Sequence, residues 1–304
     1  RQMAPHTVCS DEHDRADLVE HSASDLILRE RNAFFDFVFG THLRCRFGGQ
    51  LWYFNQHECR HVIAEAFDAT RSSVGVGWLP LYHDMGLMGM AVLSLISGAN
   101  LRLLSPFDFL SDPMHWLDTV SSSSGAITAA PNFALAYATR RVSDAALARL
   151  DFRDWKKCYC GAEPVDPATV AAFIDRFGPA GLDPTVVHPT YGLAEATLMV
   201  TSPRTGDAPK QLSVDRDGIS AGGPIEVFDL SRMDDGVLPD PSRPAFACLG
   251  TPAEGLTVEI VDPEGTVVDA EDYCGQVVVS GPVVSPGYLR PDGSIEAFGD
   301  PRCF

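Results

Sequence analysis

The chain is short of positive charge: 23 Lys and Arg stand against 41 Asp and Glu in 304 residues, a formal net charge of −18. Such a surface repels phosphate backbones and anionic lipid, which disfavours nucleic acid and membrane surfaces as partners. A local anion pocket stays open, because backbone N–H groups bind phosphate without net positive charge. Long apolar runs are missing too. The longest, residues 85–99, is interrupted by Gly and Ser and falls short of the roughly 20 residues a membrane span needs. It reads as a buried helix. Residues 1–17 hold no apolar core of the kind a secretory leader carries. The eight cysteines include no Cys-x-x-Cys pair, so the expectation is a cytoplasmic protein with reduced, mostly buried thiols. Cys158 and Cys160 alternate along an expected strand and share a face, which leaves two readings, a buried thiol pair or a metal or redox pair. No internal repeat occurs.

What is present is the composition of a globular protein, 45% hydrophobic and 21% charged, with room for one large α/β domain or two ordinary ones. Residues 1–54 stand apart. The first 20 are polar with scattered histidines and read as a solvated tail; residues 24–39 suggest a helix capped by Ser24; residues 43–54 suggest a strand. The whole segment is expected to pack poorly against the rest. From residue 55 the pattern becomes regular. Val62, Ile63, Ala66 and Phe67 have helical spacing, and short apolar strands are expected at 74–79, 101–104, 126–130, 156–160 and 186–188. Helices are expected between them, opened by Asp112-Pro113, Asn132, Ser143 and Asp166-Pro167, the last closed by Gly178. Strands alternating with helices of about ten residues mean a mostly parallel sheet flanked by helices, the α/β class. That unit covers residues 55–198. Residues 199–249, rich in Pro, Gly, Asp and Ser, read as an excursion, and 250–304 as a smaller β-rich subdomain, with strands at 256–261 and 275–279 around the turn 262–265.

In open parallel sheets ligands sit at the carboxyl ends of strands. Polar, glycine-flanked residues fall at such ends in three segments: Tyr82-His-Asp-Met-Gly86, Gly161-Ala-Glu-Pro164 and His188-Pro-Thr-Tyr-Gly-Leu-Ala-Glu195. They offer an aromatic ring for stacking (Tyr191), carboxylates for a hard cation (Glu195, Glu163), a hydroxyl (Thr190) and glycines that permit close approach. Those are the parts of a nucleotide-plus-magnesium site.

In order and wording these segments resemble the motifs of the adenylate-forming (AMP-binding) superfamily, and within it most closely the fatty acyl-AMP ligases. The matching stretches are Trp78-Leu-Pro-Leu-Tyr-His-Asp-Met-Gly-Leu87, Gly161-Ala-Glu-Pro-Val165 and Tyr191-Gly-Leu-Ala-Glu-Ala-Thr-Leu198. Ser105-Pro-Phe-Asp-Phe-Leu110, Ala130-Pro-Asn-Phe-Ala134, Gln211-Leu-Ser-Val-Asp-Arg216 and Gly287-Tyr288 continue the likeness, which covers about residues 55–298. The resemblance implies a fatty acid activated by ATP to acyl-adenylate and pyrophosphate, with Mg²⁺ offsetting phosphate charge, and an acyl carrier protein as acceptor. It also implies roles. Glu195 would hold Mg²⁺ and Tyr191, followed by Gly192, would stack on adenine. Gly161, Ala162 and Glu163 would line the adenine slot, and Thr190 would meet the phosphates. His83, Met85 and Gly86 would sit where acyl chain and adenylate join. Phe133 and Leu135 are candidates for the acyl tunnel, Phe133 equally for core packing.

Two features depart from the family pattern. Where a Ser/Thr/Gly-rich phosphate loop belongs, the chain has Phe47-Gly-Gly-Gln-Leu-Trp-Tyr-Phe54. Arg204-Thr-Gly-Asp207 spells the family's ribose-binding letters but falls in the excursion, before the β-rich part, and reads as a coincidence. The expectation is therefore an incomplete ligase. A non-catalytic nucleotide- or acyl-binding homologue and a degenerate gene fragment are the alternatives.

Overall fold

The computed structural model describes residues 67–215, 219, 223–236, 242–290 and 294–298, together with four strand backbones nearer the N-terminus. Those four are β1 (Val19–Ser22), β2 (Phe35–Asp36), β3 (His42–Phe47) and β4 (Gln50–Asn55). The expected helix at 58–67 lies outside the described residues except for Phe67, which is buried.

The main sheet holds β1 and five later strands: β5 (Val74–Gly77), β6 (Asn100–Leu103), β7 (Ala126–Ala130), β8 (Trp155–Cys160) and β9 (Val187–Pro189). Their spatial order is β1-β6-β5-β7-β8-β9, and the last five run parallel. This is the parallel sheet that the strand–helix alternation predicts. β7 is buried at all five positions, as a strand covered on both faces must be.

The N-terminal segment differs from its sequence reading where it is described. Val19 and Glu20, read as the end of a solvated tail, begin β1, which pairs antiparallel with β6 from Val19↔Leu103 to Ser22↔Asn100. An edge strand is joined through backbone N–H and C=O groups, so its side chains need carry no apolar pattern. Phe35 and Asp36, placed by sequence in a helix, pair with Cys45 and Arg44 of β3. β3 and β4 form a hairpin in register from His42↔Asn55 to Phe47↔Gln50.

Helices cover the sheet and their starts follow local chemistry. Ser105 caps Pro106–Ser111 in a reciprocal capping box with Asp108. Asp112 Oδ1 accepts the Met114 N–H at the head of Met114–Ser121. Ser143 caps Asp144–Leu147, and Asp166 takes the N–H groups of Ala168 and Thr169 at the start of Pro167–Phe177. One expectation fails: Asn132 is the first residue of the helix Asn132–Arg141 rather than its cap, and its side chain instead accepts from the Asp166 N–H at 3.1 Å. Gly178 is the C-cap of Pro167–Phe177, as read, but in a right-handed conformation that opens a 3₁₀ turn, which Gly181 ends at φ 88°. The core between helices and sheet is a chain of aromatic rings. Trp155 meets Trp116, Phe152 and Phe173 edge-on at 5.6, 5.0 and 6.2 Å, and Phe177 lies 4.7 Å from Phe173. Edge-to-face pairs add about 0.5–1.5 kcal/mol each beyond burial.

After β9 the pairing is antiparallel. β10 (Tyr191–Gly192) and β11 (Met199–Ser202) fold onto each other. β12 (Lys210–Val214), within the excursion, lies between two strands that follow it. After β13 (Gly223–Pro224) those are β14 (Val227–Arg232) and β15 (Ala245–Ala247). β16 (Thr251–Pro252) completes the sheet of β10 and β11. β17 (Thr257–Val261) pairs β19 (Gln276–Ser280), β18 (Tyr273–Cys274) pairs β13, and β20 (Gly287–Leu289) pairs β21 (Ile295–Ala297). No helix among the described residues is long and apolar enough to cross a membrane.

Candidate active site at the carboxyl edge of the sheet

The carboxyl ends of β7, β8 and β9 open into a cavity of about 200 Å³. Three separated stretches supply its polar wall: His83, Asp84 and Met85; Gly161 and Ala162; Thr190, Tyr191 and Gly192. Phe67, Ala129, Tyr159, Leu198 and Met199 supply the apolar wall.

His83 caps the helical turn Asp84–Gly86, which runs on through a π-helical stretch, Leu87–Val92, to Leu93–Ser97, where the sequence predicts a buried helix. Such π segments occur often at functional sites. Asp84 Oδ1 lies 2.8 Å from His83 Nδ1 and also accepts the Met85 N–H at 2.7 Å. The hydrogen bond to Asp84 raises the His83 pKa, and partial burial opposes it. Gly86 is not among the residues lining the cavity, and a Cβ there would meet the Pro80 carbonyl oxygen at 2.5 Å. Its lack of a side chain lets the helix pack on its own leading loop.

Gly161 follows β8 directly, and Ala162 adopts φ 66°, a left-handed conformation that costs an L-residue about 1–2 kcal/mol. Thr190 follows β9 and is tied to β8 twice, its N–H and hydroxyl donating to the Cys160 carbonyl at 2.8 and 3.2 Å. Tyr191 is half-buried, and burial is the larger of the causes that raise its phenol pKa. Gly192 sits where the chain doubles back, so close that a Cβ would lie 1.9 Å from the Leu198 carbonyl oxygen.

The remaining candidates do not line the cavity. Glu163 points its carboxylate at the helix Asn132–Arg141 and accepts the Phe133 N–H at 2.6 Å. Leu135 is fully buried in the core, whereas Phe133 is 44% exposed with its ring edge-on to Trp78 at 6.1 Å. Glu195 lies in the 3₁₀ turn Ala194–Ala196, where Oε1 accepts the Tyr288 hydroxyl at 2.7 Å. The turn ends at Thr197 with φ 72° and ψ −53°, an outlier for a β-branched residue. Cys158 and Cys160 are buried free thiols, and burial pushes Cys158 up to about 12, so neither is a thiolate near neutral pH. Arg204-Thr-Gly-Asp207 lies elsewhere: the Thr205 hydroxyl accepts from the buried Lys157 ammonium at 2.7 Å.

Sequence reasoning passed over Asp84, Tyr159 and Tyr288. Asp84 lay within a segment already singled out, and Gly287-Tyr288 lay within the resemblance. Tyr159 carried no signal beyond strand alternation.

The cavity lies at the carboxyl ends of parallel strands, where open α/β sheets place their ligands, and is walled by two tyrosines, two glycines and the strained backbone of Ala162. The chain belongs to the AMP-binding enzyme family, whose model matches residues 51–289. It is 38% identical over 232 residues to the long-chain-fatty-acid–AMP ligase FadD26 of Mycobacterium tuberculosis, covering 73% of this chain and 37% of that protein. It is 38% identical over 220 residues to the 4-hydroxyphenylalkanoate adenylyltransferase of Mycobacterium marinum, covering 72% of this chain and 33% of that protein. Among solved structures, a fatty acyl-adenylate ligase from Legionella pneumophila in complex with acyl adenylate and pyrophosphate superposes with a TM-score of 0.70. The identity there is 26%, over 85% of this chain and 46% of that one. The chain thus spans little more than a third of the length of the curated relatives it matches.

Proposed function

We propose that this chain forms the adenylate-binding part of a fatty acyl-AMP ligase. In that reaction a fatty carboxylate oxygen attacks the α-phosphorus of ATP, the bond from that phosphorus to the bridging oxygen breaks, and pyrophosphate leaves. The acyl-adenylate then passes its acyl group to the phosphopantetheine thiol of an acyl carrier protein, forming a thioester as the acyl–phosphate bond breaks and AMP leaves. The observation that supports this reading is that three separate stretches, 83–85, 161–162 and 190–192, wall one cavity at the carboxyl edge of the sheet.

Each residue has work suited to its chemistry. The Tyr191 ring offers a stacking face for adenine, with Gly161 and Ala162 leaving room for the base beside it. Thr190, fixed to the Cys160 carbonyl through its N–H and its hydroxyl, brings that hydroxyl to the phosphates. His83, held by Asp84, lies where carboxylate and α-phosphate meet, with Met85 toward the acyl chain. Phe133 and Leu135 bear on the acyl side through the packing of their helix. Mg²⁺ takes one or two carboxylates and fills its remaining positions with phosphate oxygens and water. Glu195 would hold it, and its charge would offset that of the departing pyrophosphate.

Calorimetric titration with a non-hydrolysable acyl-adenylate mimic tests the reading. Binding is expected, weakened about tenfold by Tyr191→Ala, since loss of one aromatic stacking partner is worth on the order of 1–1.5 kcal/mol. Absence of binding, or an affinity indifferent to Tyr191, would overturn it.

A further inference from the structure

The turn that carries Glu195 and the segment 283–288, about 90 residues further along the chain, are joined at three points. The Ser285 N–H donates to the Glu195 carbonyl at 2.7 Å, and the Thr197 hydroxyl donates to the Val283 carbonyl at 3.0 Å. The Tyr288 hydroxyl donates to Glu195 Oε1 at 2.7 Å. The first two bonds hold the turn's backbone. Only the third reaches the carboxylate.

A half-buried tyrosine needs no such bond to pack, because the Tyr288 ring already has an edge-on partner in Phe298 at 5.0 Å. A glutamate on a short turn rotates about three side-chain torsions, and a donor on one oxygen restricts that freedom. We propose that Tyr288 is a positioning residue for Glu195, its hydroxyl orienting the carboxylate toward the divalent cation of a bound nucleotide. The inference rests on the nucleotide reading of the cavity. The strained Thr197, clamped to Val283, sets the direction in which the turn leaves Glu195. By this arrangement residues 283–288 are coupled to loading of the nucleotide with its cation, although they lie outside the three cavity stretches.

The test is calorimetric titration of ATP into the full chain, once with Mg²⁺ and once with EDTA, for wild type, Tyr288→Phe, Glu195→Gln and Phe298→Leu. Partners that orient a metal's ligands typically contribute 10- to 100-fold in metal affinity. Tyr288→Phe is therefore expected to lose about tenfold of the gain that Mg²⁺ brings, approaching Glu195→Gln, with the EDTA value unchanged. Phe298→Leu disturbs the same ring packing but keeps the hydroxyl, and is expected to retain the gain. If Tyr288→Phe keeps the full Mg²⁺-dependent gain, or loses as much in EDTA, the positioning role is overturned and the nucleotide reading stands. If wild type binds no ATP in either condition, the nucleotide reading falls and this inference with it. Hydrogen exchange on wild type decides the matter should Tyr288→Phe fail to fold. Protection of the amides at 285–289 by ATP with Mg²⁺, but not by ATP with EDTA, is expected; equal protection in both, or none, overturns the coupling.

Discussion

Lowering the pH should unfold this protein partly through one histidine. His188 is the middle residue of β9, 1% exposed, with its ring 5.4 Å from that of Tyr159. Neither ring nitrogen closes a hydrogen bond. Burial, followed by the charge of the nearby Lys157 ammonium, lowers its pKa from the ordinary 6.5 to about 4. The carbonyls of Pro203 and Thr185 and the Asp207 carboxylate pull the other way without prevailing. Because the folded value lies below the unfolded one, the unfolded chain binds the extra proton between pH 6.5 and 4. Stability is full above this window, falls as the pH drops through it, and has lost the whole contribution below about pH 4. A shift of about 2.5 units corresponds to about 3 kcal/mol in all, of which about 2 kcal/mol is lost by pH 5. Urea unfolding at pH 7 and pH 5 measures it. Other groups titrate in this range, so the quantity that matters is the difference from His188→Gln, which has no imidazole to protonate. Wild type should lose about 2 kcal/mol more than the variant between the two pH values. Lys157→Met, which removes the neighbouring charge, should shrink wild type's excess loss. An equal drop in wild type and His188→Gln would refute the argument.

Three further outcomes follow from geometry. Glu163→Ala removes the acceptor at the head of the helix Asn132–Arg141 and should cost about 1 kcal/mol in urea unfolding, leaving affinity for an acyl-adenylate mimic unchanged. A loss of affinity with unchanged stability would instead assign Glu163 to the adenine slot. Gly192→Ala forces a Cβ toward the Leu198 carbonyl at 1.9 Å, so the β10–β11 pair must part. Hydrogen exchange at residues 191–201 should rise, and a wild-type exchange pattern would contradict the close approach. Phe173→Ala opens a cavity among fully buried rings and should cost about 3–5 kcal/mol; a loss below about 1 kcal/mol would mean that the aromatic chain is not the core's keystone.

Local chemistry is what the sequence stated well. The Asp166-Pro167 helix start, the Ser143 cap and the buried strand at 126–130 each depend on residues within a few positions of one another, and each formed as read. The strand–helix alternation determined the parallel sheet, because parallel strands require crossovers of this length. The three polar segments at strand ends were legible for the same reason: in a parallel sheet all strand ends face one edge, so glycines and polar residues after successive strands converge there.

Tertiary structure alone decided the partners. Nothing near Glu163 in sequence says that its carboxylate meets the Phe133 N–H thirty residues back, and nothing near Glu195 says that Tyr288 holds it. The β1 strand joins β6 through main-chain groups that every residue carries, so no side-chain pattern announced it. In the sequence His188 only opens one of the three polar segments; its lowered pKa arises from burial and from Lys157 on the neighbouring strand. Hydrogen bonds and charges act over a few ångströms of space, so helix, strand and cap can be written in neighbouring residues. The partner that orients a carboxylate or keeps an imidazole neutral exists only once the chain has closed on itself.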